Sequence, residues 1–235
     1  MQSPVTAFKY LTVWSRFAAL QPTGPMIGAA AAYFPVVGLV LGLILAVSNY
    51  VLVPYLHPEI LSVVLITVMI VATGGIHLDG VKQTFGAPTI TTPPDYGREK
   101  DSLGFVVIVL VIFFKVAAAN SMDEKLTLSL LLTPVLARWT LVIFIYGCHD
   151  RCEEAPRLIA ENVKLWHLIV TTSATLTLVV YFLGRKALWV GLLLSLFALL
   201  TRSLLHRRQS VITHDNFGTI VEIGEVISLV SLASL

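Results

Sequence analysis

Charged residues are scarce in this sequence of 235 amino acids, where Asp, Glu, Lys and Arg together account for only 13%. A soluble domain is usually about one quarter charged, whereas this chain is 56% apolar with a mean hydropathy of +0.84. This composition favours a membrane protein over a water-soluble helical bundle. The net charge of +2 is too small to indicate a nucleic-acid partner.

Cysteine is also rare, with only Cys148 and Cys152 present. Two cysteines four positions apart exclude a disulfide framework, and they are too few for a structural zinc site. We interpret both as ordinary thiols.

The first 28 residues contain no compact apolar segment after a basic start, so we expect no cleavable signal peptide. Lys9 and Arg16 are seven positions apart and share one helical face, beside several apolar and aromatic residues. This pattern is typical of an interfacial N-terminal helix over residues 1–28. A solvated leader that packs on the rest of the protein explains it equally well.

Long apolar runs are what the sequence has in abundance, and several approach the roughly 20 residues needed to cross a bilayer core of about 30 Å. We therefore predict an all-α fold, a polytopic transmembrane helical bundle of about seven spans (range six to eight) forming a single integral-membrane domain over residues 1–235. The predicted spans are residues 29–53, 60–76, 103–119, 126–146, 165–183, 187–205 and 219–235.

A long polar insert, residues 77–102, separates the second and third predicted spans. Pro88, Pro93 and Pro94 interrupt it, so it cannot be one continuous helix. We predict that it is a cytoplasmic loop carrying the active site.

Basic residues are distributed unevenly between the two sets of loops that seven spans would separate. Eleven Lys and Arg fall on the side of the N-terminus and three on the opposite side. Because basic residues accumulate on the cytoplasmic side, we predict a cytoplasmic N-terminus and an outer C-terminus. Most loop carboxylates fall on the same side as the N-terminus, so chemistry that needs acids is expected on the cytoplasmic face.

The second predicted span ends in the run GGIHLDG, residues 74–80. A carboxylate such as Asp79 beside glycine-rich backbone can hold Mg²⁺ with a diphosphate, because Mg²⁺ takes one or two carboxylates plus substrate phosphates. A solvated helix end explains Asp79 as simply, and an interfacial histidine with a backbone partner explains His77.

More polar side chains follow in the same insert. Lys82 can clamp phosphate oxygens, although the accumulation of basic residues on the cytoplasmic side accounts for it equally well. Asp101 and Ser102 directly precede the third predicted span, where they can cap its helix.

Two cations lie inside predicted spans. A lipid-facing Arg138 near the middle of a helix would cost about 2.5–3.5 kcal/mol or more, so we predict that it faces the bundle interior and has an anionic partner or substrate. A lipid-facing Lys115 would be costly for the same reason, although its long side chain can snorkel and bring the ammonium to the interface. For both residues the alternative to a functional role is a buried structural ion pair.

Acids occur near the last predicted span. Asp215 precedes it, and Glu222 and Glu225 lie three positions apart within it, so these two share a helical face. Such acids need a polar environment. The pattern is compatible with a proton or ion path and with a metal or substrate site.

Five stretches, taken in chain order, carry a family resemblance. They are YFPVVG at 33–38, GGIHLDG at 74–80, DSLG at 101–104, Arg138, and THDNFG at 213–218 followed by EIGE at 222–225. Their order and the membrane pattern resemble the cobalamin synthase family (adenosylcobinamide-GDP ribazoletransferase) over nearly the whole chain. The GG-x-HLDG motif and the D-x-x-G-x-x-x-E-x-G-E motif are the specific parts.

The resemblance implies a Mg²⁺-dependent transferase of the cell inner membrane. Such an enzyme transfers the adenosylcobinamide-phosphate group from adenosylcobinamide-GDP to α-ribazole or its 5′-phosphate and releases GMP, in the last steps of cobalamin (vitamin B12) biosynthesis. The implied catalytic residues are His77, Asp79 and Arg138, the implied metal ligands are Asp79, Asp215 and Glu222, and the implied substrate-binding residues are Arg138, Asp101, Ser102, Lys82 and Glu222.

The partners that follow from these expectations are membrane lipid and the corrinoid nucleotide and ribazole substrates. A second copy of the chain or other cobalamin-assembly enzymes are the protein partners compatible with them.

The sequence departs from the family at its acidic motif, which typically continues as HLDG-x-A-D-x-x-D-G. Gln83 stands where the second Asp is expected and Gly86 where the third is, and Lys82 adds a cation beside Asp79. Loss of two carboxylates weakens metal binding. The alternative function is therefore a catalytically weakened or inactive homologue that acts as a membrane corrinoid-binding or scaffold subunit. A small transporter using the charges inside the spans ranks last, because the outer loops are short and nearly uncharged.

Overall fold

A computed structural model describes residues 4–16, 22–86, 97–122, 124–207 and 211–235. Within these ranges the chain forms α-helices and short 3₁₀ turns and no β-strand, which confirms the predicted all-α fold. The α-helices in this part are α1 Pro4–Leu11, α2 Gly24–Ala29, α3 Phe34–Leu52, α4 Pro58–Thr73, α5 Ile76–Gly86, α6 Gly97–Asn120, α7 Leu126–Ile145, α8 Glu154–Ala160, α9 Leu165–Leu183, α10 Leu188–Arg207 and α11 His214–Ala233.

Six helices in the described ranges are long and apolar enough to cross a membrane, namely α3, α6, α7, α9, α10 and α11. Helices α4 and α5 together form a seventh candidate span, bent by 88°. The prediction of a polytopic bundle of about seven spans is therefore confirmed.

Helix α7 lies at the centre of the bundle. Its span is 83% buried, compared with 22% for α9 and for α10. The outer helices present large apolar side chains to the surroundings, including Phe113, Trp189 and Leu192. Such extended apolar surface is incompatible with water and matches the hydrocarbon of a bilayer.

Two glycines allow α3 and α7 to pack closely. A Cβ atom at Gly38 or Gly42 would collide with the backbone of Pro134 or Leu131 in α7. Glycines four residues apart commonly let membrane helices approach in this way. Further along, Asn49 donates a hydrogen bond of 2.8 Å to Thr127, which adds a polar tie between α3 and the start of α7.

The N-terminal segment packs onto the bundle. Ala7 and Leu11 of α1 are completely buried and belong to the same core as Phe34 of α3. Its position relative to a membrane interface stays a prediction.

The predicted loop over residues 77–102 is wrong in its first part. Gly74 and Gly75 adopt φ values of 65° and 69°, a left-handed conformation that suits glycine. They end α4, the chain bends, and α5 continues to Gly86. The proline breakers begin only at Pro88, so nothing prevents a helix before that point. Residues 87–96 lie outside the described part, and residues 97–102 already belong to α6.

The last span also begins earlier than residue 219. The backbone N–H of Thr213 donates to Asn216 Oδ1 at 2.8 Å, as part of a capping box that starts α11 at His214. Asp215 is therefore in the first turn of this helix and not in a loop.

Candidate active site

The two family-specific motifs meet where α5 crosses α11. A Cβ atom on Gly80 would lie 2.6 Å from the carbonyl oxygen of Asp215, and one on Gly218 would lie 3.1 Å from that of His77. Only glycine permits backbones to approach this closely. The crossing therefore requires the glycines of both motifs.

The side chain of Thr84 stabilises the same crossing. Its hydroxyl accepts hydrogen bonds from Asn216 at 3.1 Å and from the hydroxyl of Thr219 at 2.8 Å. Asn216 also caps α11, so the start of α11 and the middle of α5 are held by one small polar network.

A cleft opens beside this crossing, between α1, α5 and α11. Its cavity volume, taken as the space open to the centre of a water-sized sphere, is about 30 Å³, which is room for about one or two water molecules. The side chains that carry polar or aromatic groups into its lining are Tyr10, His77, His214, Asp215 and Phe217.

His77 is buried in this cleft, with 5% of its surface exposed. Its ring makes a hydrogen bond to the backbone of Leu11 in α1, and its Nε2 atom has no partner. A ring nitrogen that donates to a carbonyl leaves the other as the lone-pair acceptor in neutral imidazole. The imidazole thus carries a buried, unused hydrogen-bond acceptor beside the cleft.

Asp79 lies on the opposite, exposed side of α5. Residues at i, i+4 and i+7 share one helical face, so Asp79, Gln83 and Gly86 line up along it. In the family motif these three positions are acids. The helical form of α5 therefore explains the spacing of the motif, and it shows that this chain keeps one carboxylate of the face.

Asp79 and Asp215 are near enough to interact electrostatically. In the described part of the chain, no group of three His, Cys, Asp or Glu side chains is placed to bind a metal. This donor set fits Mg²⁺ in its usual enzyme mode, in which one or two carboxylates act with substrate phosphates. It does not form a closed, all-protein cage.

Four charged side chains form a separate cluster inside the membrane spans, which we call the buried charge cluster: Lys115, Arg138, Glu222 and Glu225. Lys115 contacts both Glu222 and Glu225 at 2.5 Å. Arg138 pairs with Glu225. All four are almost fully buried, and their formal charges sum to zero.

The prediction that Arg138 faces the interior with an anionic partner is confirmed, and the partner is Glu225. Its Nε and Nη2 atoms have no hydrogen-bond partner among the described residues. The role of Arg138 as a phosphate clamp stays a prediction. Lys115 does not snorkel, because its side chain is only 1% exposed.

Glu222 lies about two helical turns further along α11 than Asp215. It follows Asp215 by seven residues of helix, which corresponds to about 10 Å along the axis, and it is bound to Lys115. Its predicted part in metal or substrate binding stays a prediction and would require it to leave Lys115. The charges of Arg138, Glu225 and Lys115 nevertheless act on His77, so the cluster adjoins the cleft.

The remaining predicted residues lie around α5 and α6. Lys82 is half-exposed, and its ammonium sits 4.7 Å from the centre of the Phe105 ring in a cation–π contact. The backbone of Asp101 and Ser102 belongs to α6, and their side chains lie outside the described part. Roles in substrate binding stay predictions for all three.

Sequence reasoning missed Tyr10, Leu11 and Thr84. Tyr10 and Leu11 come from the N-terminal segment, 60 or more positions from His77, and no spacing rule connects them. Thr84 follows His77 by seven positions and shares its helical face. That relation would have been visible if residues 76–86 had been interpreted as a helix.

The fold and site define a polytopic membrane protein in which α5 and α11 bring His77 and Asp215 to one cleft, while Asp79 lies on the exposed face of α5 within electrostatic reach of Asp215. A family model described as CobS, cobalamin-5-phosphate synthase, matches residues 3–233, and the chain belongs to this family.

Relatives in the curated collection carry a consistent name. Proteins called adenosylcobinamide-GDP ribazoletransferase from Geotalea daltonii and Pseudomonas fluorescens are each 27% identical to this chain, over 89% and 90% of it and over 87% and 90% of their own lengths. One from Acinetobacter baumannii is 28% identical over 94% of this chain and 92% of its own length. No solved structure matches the chain significantly.

Proposed function

We propose that this protein is a membrane-bound transferase of the last steps of cobalamin biosynthesis. It transfers the adenosylcobinamide-phosphate group of adenosylcobinamide-GDP to α-ribazole or its 5′-phosphate and releases GMP. The observation that carries this proposal is the contact of the two family-specific motifs at Gly80 and Gly218, in a chain that matches the family from residue 3 to residue 233.

The reaction exchanges one phosphorus–oxygen bond for another. A ribazole hydroxyl oxygen attacks the phosphorus that carries the cobinamide, the bond from this phosphorus to the oxygen of GMP breaks, and GMP leaves with the bond electrons. The hydroxyl proton must be accepted during the attack. We assign this to His77, which lines the cleft and whose buried Nε2 has no hydrogen-bond partner among the described residues.

Mg²⁺ is the proposed cofactor, held by Asp79 and Asp215. When bound, it supplies neutralisation of the negative charge on the diphosphate and on the departing GMP. Lys82 and Arg138 are the proposed phosphate contacts, with Asp101 and Ser102 as further contacts to substrate from the start of α6.

The proposed location is the cell inner membrane, with the N-terminus and the site on the cytoplasmic side. The support is the excess of eleven to three Lys and Arg on the loops of that side. The substrates would reach the cleft from the cytoplasm while the outer helices stay in lipid.

The test is turnover by the full chain purified in lipid nanodiscs with adenosylcobinamide-GDP, α-ribazole and Mg²⁺. We expect GMP and the nucleotide-bearing corrinoid in equal amounts by liquid chromatography and mass spectrometry. The Geotalea daltonii relative, prepared in the same way, is the positive control. Turnover by the relative and none by this chain would contradict the proposal and support an inactive, corrinoid-binding homologue.

A further inference from the structure

The two cysteines form a pair that the proposed reaction does not use. We propose that Cys148 and Cys152 are a redox-modification site, at which a small disulfide such as oxidised glutathione converts both thiols to an intramolecular disulfide, and that this bond slows transfer by displacing the start of α11. Formation of the disulfide is independent of the proposed function, whereas its effect on transfer rests on that function.

The two sulfurs lie in contact although no regular helix carries the pair. Cys148 follows the end of α7, His149–Arg151 form a short 3₁₀ turn, and Cys152 has an extended backbone. This turn brings the sulfurs to 3.3 Å from each other, and the Cys152 thiol also donates to the carbonyl oxygen of Cys148 at 3.0 Å. Because bonded sulfurs are about 2.05 Å apart, an approach of about 1.2 Å closes the bond.

The two thiols differ in access, which gives each a separate role. Cys152 is half-buried, so a small disulfide can reach it, whereas Cys148 is completely buried. The hydrogen bond between them lowers the pKa of Cys152 and is the main cause that raises the pKa of Cys148. Because the thiolate is the nucleophile, Cys152 attacks first. The hydrogen bond is lost once Cys152 has reacted, which leaves Cys148 free to attack in turn.

The chemistry consists of two exchanges between thiol and disulfide. The Cys152 thiolate attacks one sulfur of oxidised glutathione, the bond between the two glutathione sulfurs breaks, and the first glutathione leaves and takes up the proton that Cys152 has lost. The Cys148 sulfur then attacks that of Cys152, and the second glutathione leaves with the proton of Cys148. Both cysteines are oxidised with the loss of two hydrogens, and one oxidised glutathione is reduced to two thiols.

Cys148 is the fixed end of the pair. Its backbone N–H donates to the carbonyl oxygen of Ile145 at 3.1 Å, and Arg202 of α10 donates to the carbonyl oxygen of Tyr146. It also belongs to the buried core around α7. Closing the bond therefore moves the half-buried Cys152 towards the end of α7.

Cys152 is joined to the segment that starts α11. It pairs with Ile212 in an isolated parallel bridge, and the backbone N–H of Glu153 donates to the carbonyl oxygen of Ile212 at 3.0 Å. Ile212 directly precedes Thr213, whose backbone N–H takes part in the capping box of α11. Asp215 follows in the first turn. A movement of Cys152 is thus transmitted to the segment that positions this carboxylate.

The proposed topology is compatible with a reversible bond. The loop after α7 follows an even number of spans, so it lies on the same side as the N-terminus, which the excess of Lys and Arg places in the cytoplasm. Cytoplasmic disulfides are usually transient and catalytic or redox-sensing. The pair therefore fits a reversible modification and not a structural crosslink.

The test of disulfide formation incubates the reduced full chain in nanodiscs with mixtures of reduced and oxidised glutathione, then alkylates free thiols. As the oxidised share rises, the chymotryptic peptide with both cysteines should lose two hydrogens and take up no label in wild type. Cys148→Ala should accumulate glutathione on Cys152, because the second thiol is missing, and Cys152→Ala should stay labelled at Cys148. Wild type labelled at both cysteines in every mixture, or holding glutathione as Cys148→Ala does, would overturn the site.

The test of the effect compares the turnover of oxidised and reduced wild type. We expect oxidation to lower it about 10-fold or more, since a displacement of about 1 Å can cost 100-fold, and dithiothreitol to restore it. Cys152→Ala should keep its turnover in the same mixtures. Equal turnover of oxidised and reduced wild type, or an equal loss in Cys152→Ala, would overturn the effect.

Reduced wild type without turnover would defeat the proposed function alone. Hydrogen exchange at the backbone amides of residues 213–219 then decides whether the disulfide displaces the start of α11. A difference between oxidised and reduced wild type that Cys152→Ala does not show supports the displacement, and equal exchange in the two forms overturns it.

Discussion

At the scale of single residues, the charges inside the spans are the part of the site that the sequence predicts best. A cation in a lipid-facing position is costly, so Arg138 had to face inward and needed an acid. The sequence could not show which acid, because Glu225 is 87 positions away. It also left open that Lys115 would be buried, since a lysine can snorkel and only the two glutamates of α11 keep it inside.

The balance of the buried charge cluster leads to a stability prediction. Lys115→Met leaves two buried carboxylates with Arg138 as their only cation, and an uncompensated buried charge costs about 3–5 kcal/mol. The combination of Lys115→Met with Glu222→Gln restores neutrality and should recover most of this loss. The measurement is the free energy of unfolding in detergent micelles. A double variant as unstable as the single variant would show that charge balance is not what Lys115 provides.

The two cysteines lead to a prediction about thiol reactivity. Their sulfurs are 3.3 Å apart. The hydrogen bond between them, with burial, raises the pKa of Cys148, and the same bond lowers the pKa of Cys152. Because the thiolate is the reactive form, Cys152 should react with iodoacetamide first, and its reaction should begin at a lower pH than that of an ordinary thiol with a pKa of about 8.5.

Peptide mass spectrometry across a pH series measures both cysteines. In Cys148→Ala, which removes the hydrogen-bond donor, the titration of Cys152 should move to higher pH, towards that of an ordinary thiol. In Cys152→Ser the buried Cys148 should stay slow. Faster labelling of Cys148 than of Cys152 in the wild type would contradict the assignment.

At the scale of secondary structure elements, α5 is where sequence and structure differ most. Its polar residues and the prolines after residue 87 resemble a loop, and a pair of left-handed glycines separates it from the apolar run of α4. The helical spacing from Asp79 to Gly86 was present in the sequence. With five polar residues among its 11, it lacks the apolar stripe by which a helix is usually recognised.

The crossing of α5 and α11 leads to a prediction for Gly80→Ala. The added Cβ would lie 2.6 Å from a backbone oxygen of Asp215, and backbone in a helix cannot yield as a side chain can, so the helices must separate. We expect a loss of turnover of about 10-fold or more, since a displacement of about 1 Å can cost 100-fold. Gly191→Ala is the control, because its nearest neighbour is the end of the Leu176 side chain at 3.0 Å. Equal activity in both variants would contradict the close crossing.

The incomplete acidic face of α5 leads to a prediction about the Mg²⁺ dependence of activity. Gln83→Asp with Gly86→Asp places three carboxylates along one face of the helix, and we expect the Mg²⁺ concentration for half-maximal activity to fall. The uncharged pair Gln83→Asn with Gly86→Asn is the matched control and should not lower it. A Mg²⁺ dependence that is the same for the acidic pair, the neutral pair and wild type would show that this face does not take part in metal binding.

At the scale of the whole molecule, the number of spans and the all-α fold could be predicted because they follow from the length and apolarity of each run. Which helices lie at the centre of the bundle and which at its periphery could not be predicted. Helix α7 is central and α9 and α10 are peripheral, yet all three have similar apolar sequences without a clear polar face. What distinguishes α7 is close approach to α3 through Gly38 and Gly42 and the buried pair of Arg138, neither of which is marked by hydropathy.

The central claim is that the crossing of α5 and α11 is the site of transfer, with Asp79 and Asp215 as its acids. The most direct test is the turnover number of Asp79→Asn and of Asp215→Asn in nanodiscs with saturating substrates and Mg²⁺. Glu161→Gln is the control, an exposed acid that pairs with Arg157 at 2.8 Å. We predict a loss of about 100-fold or more for each site variant, since even an outer-shell change at a metal site costs about 10–100-fold, and no loss for Glu161→Gln. Turnover of either site variant equal to that of the control would contradict the account.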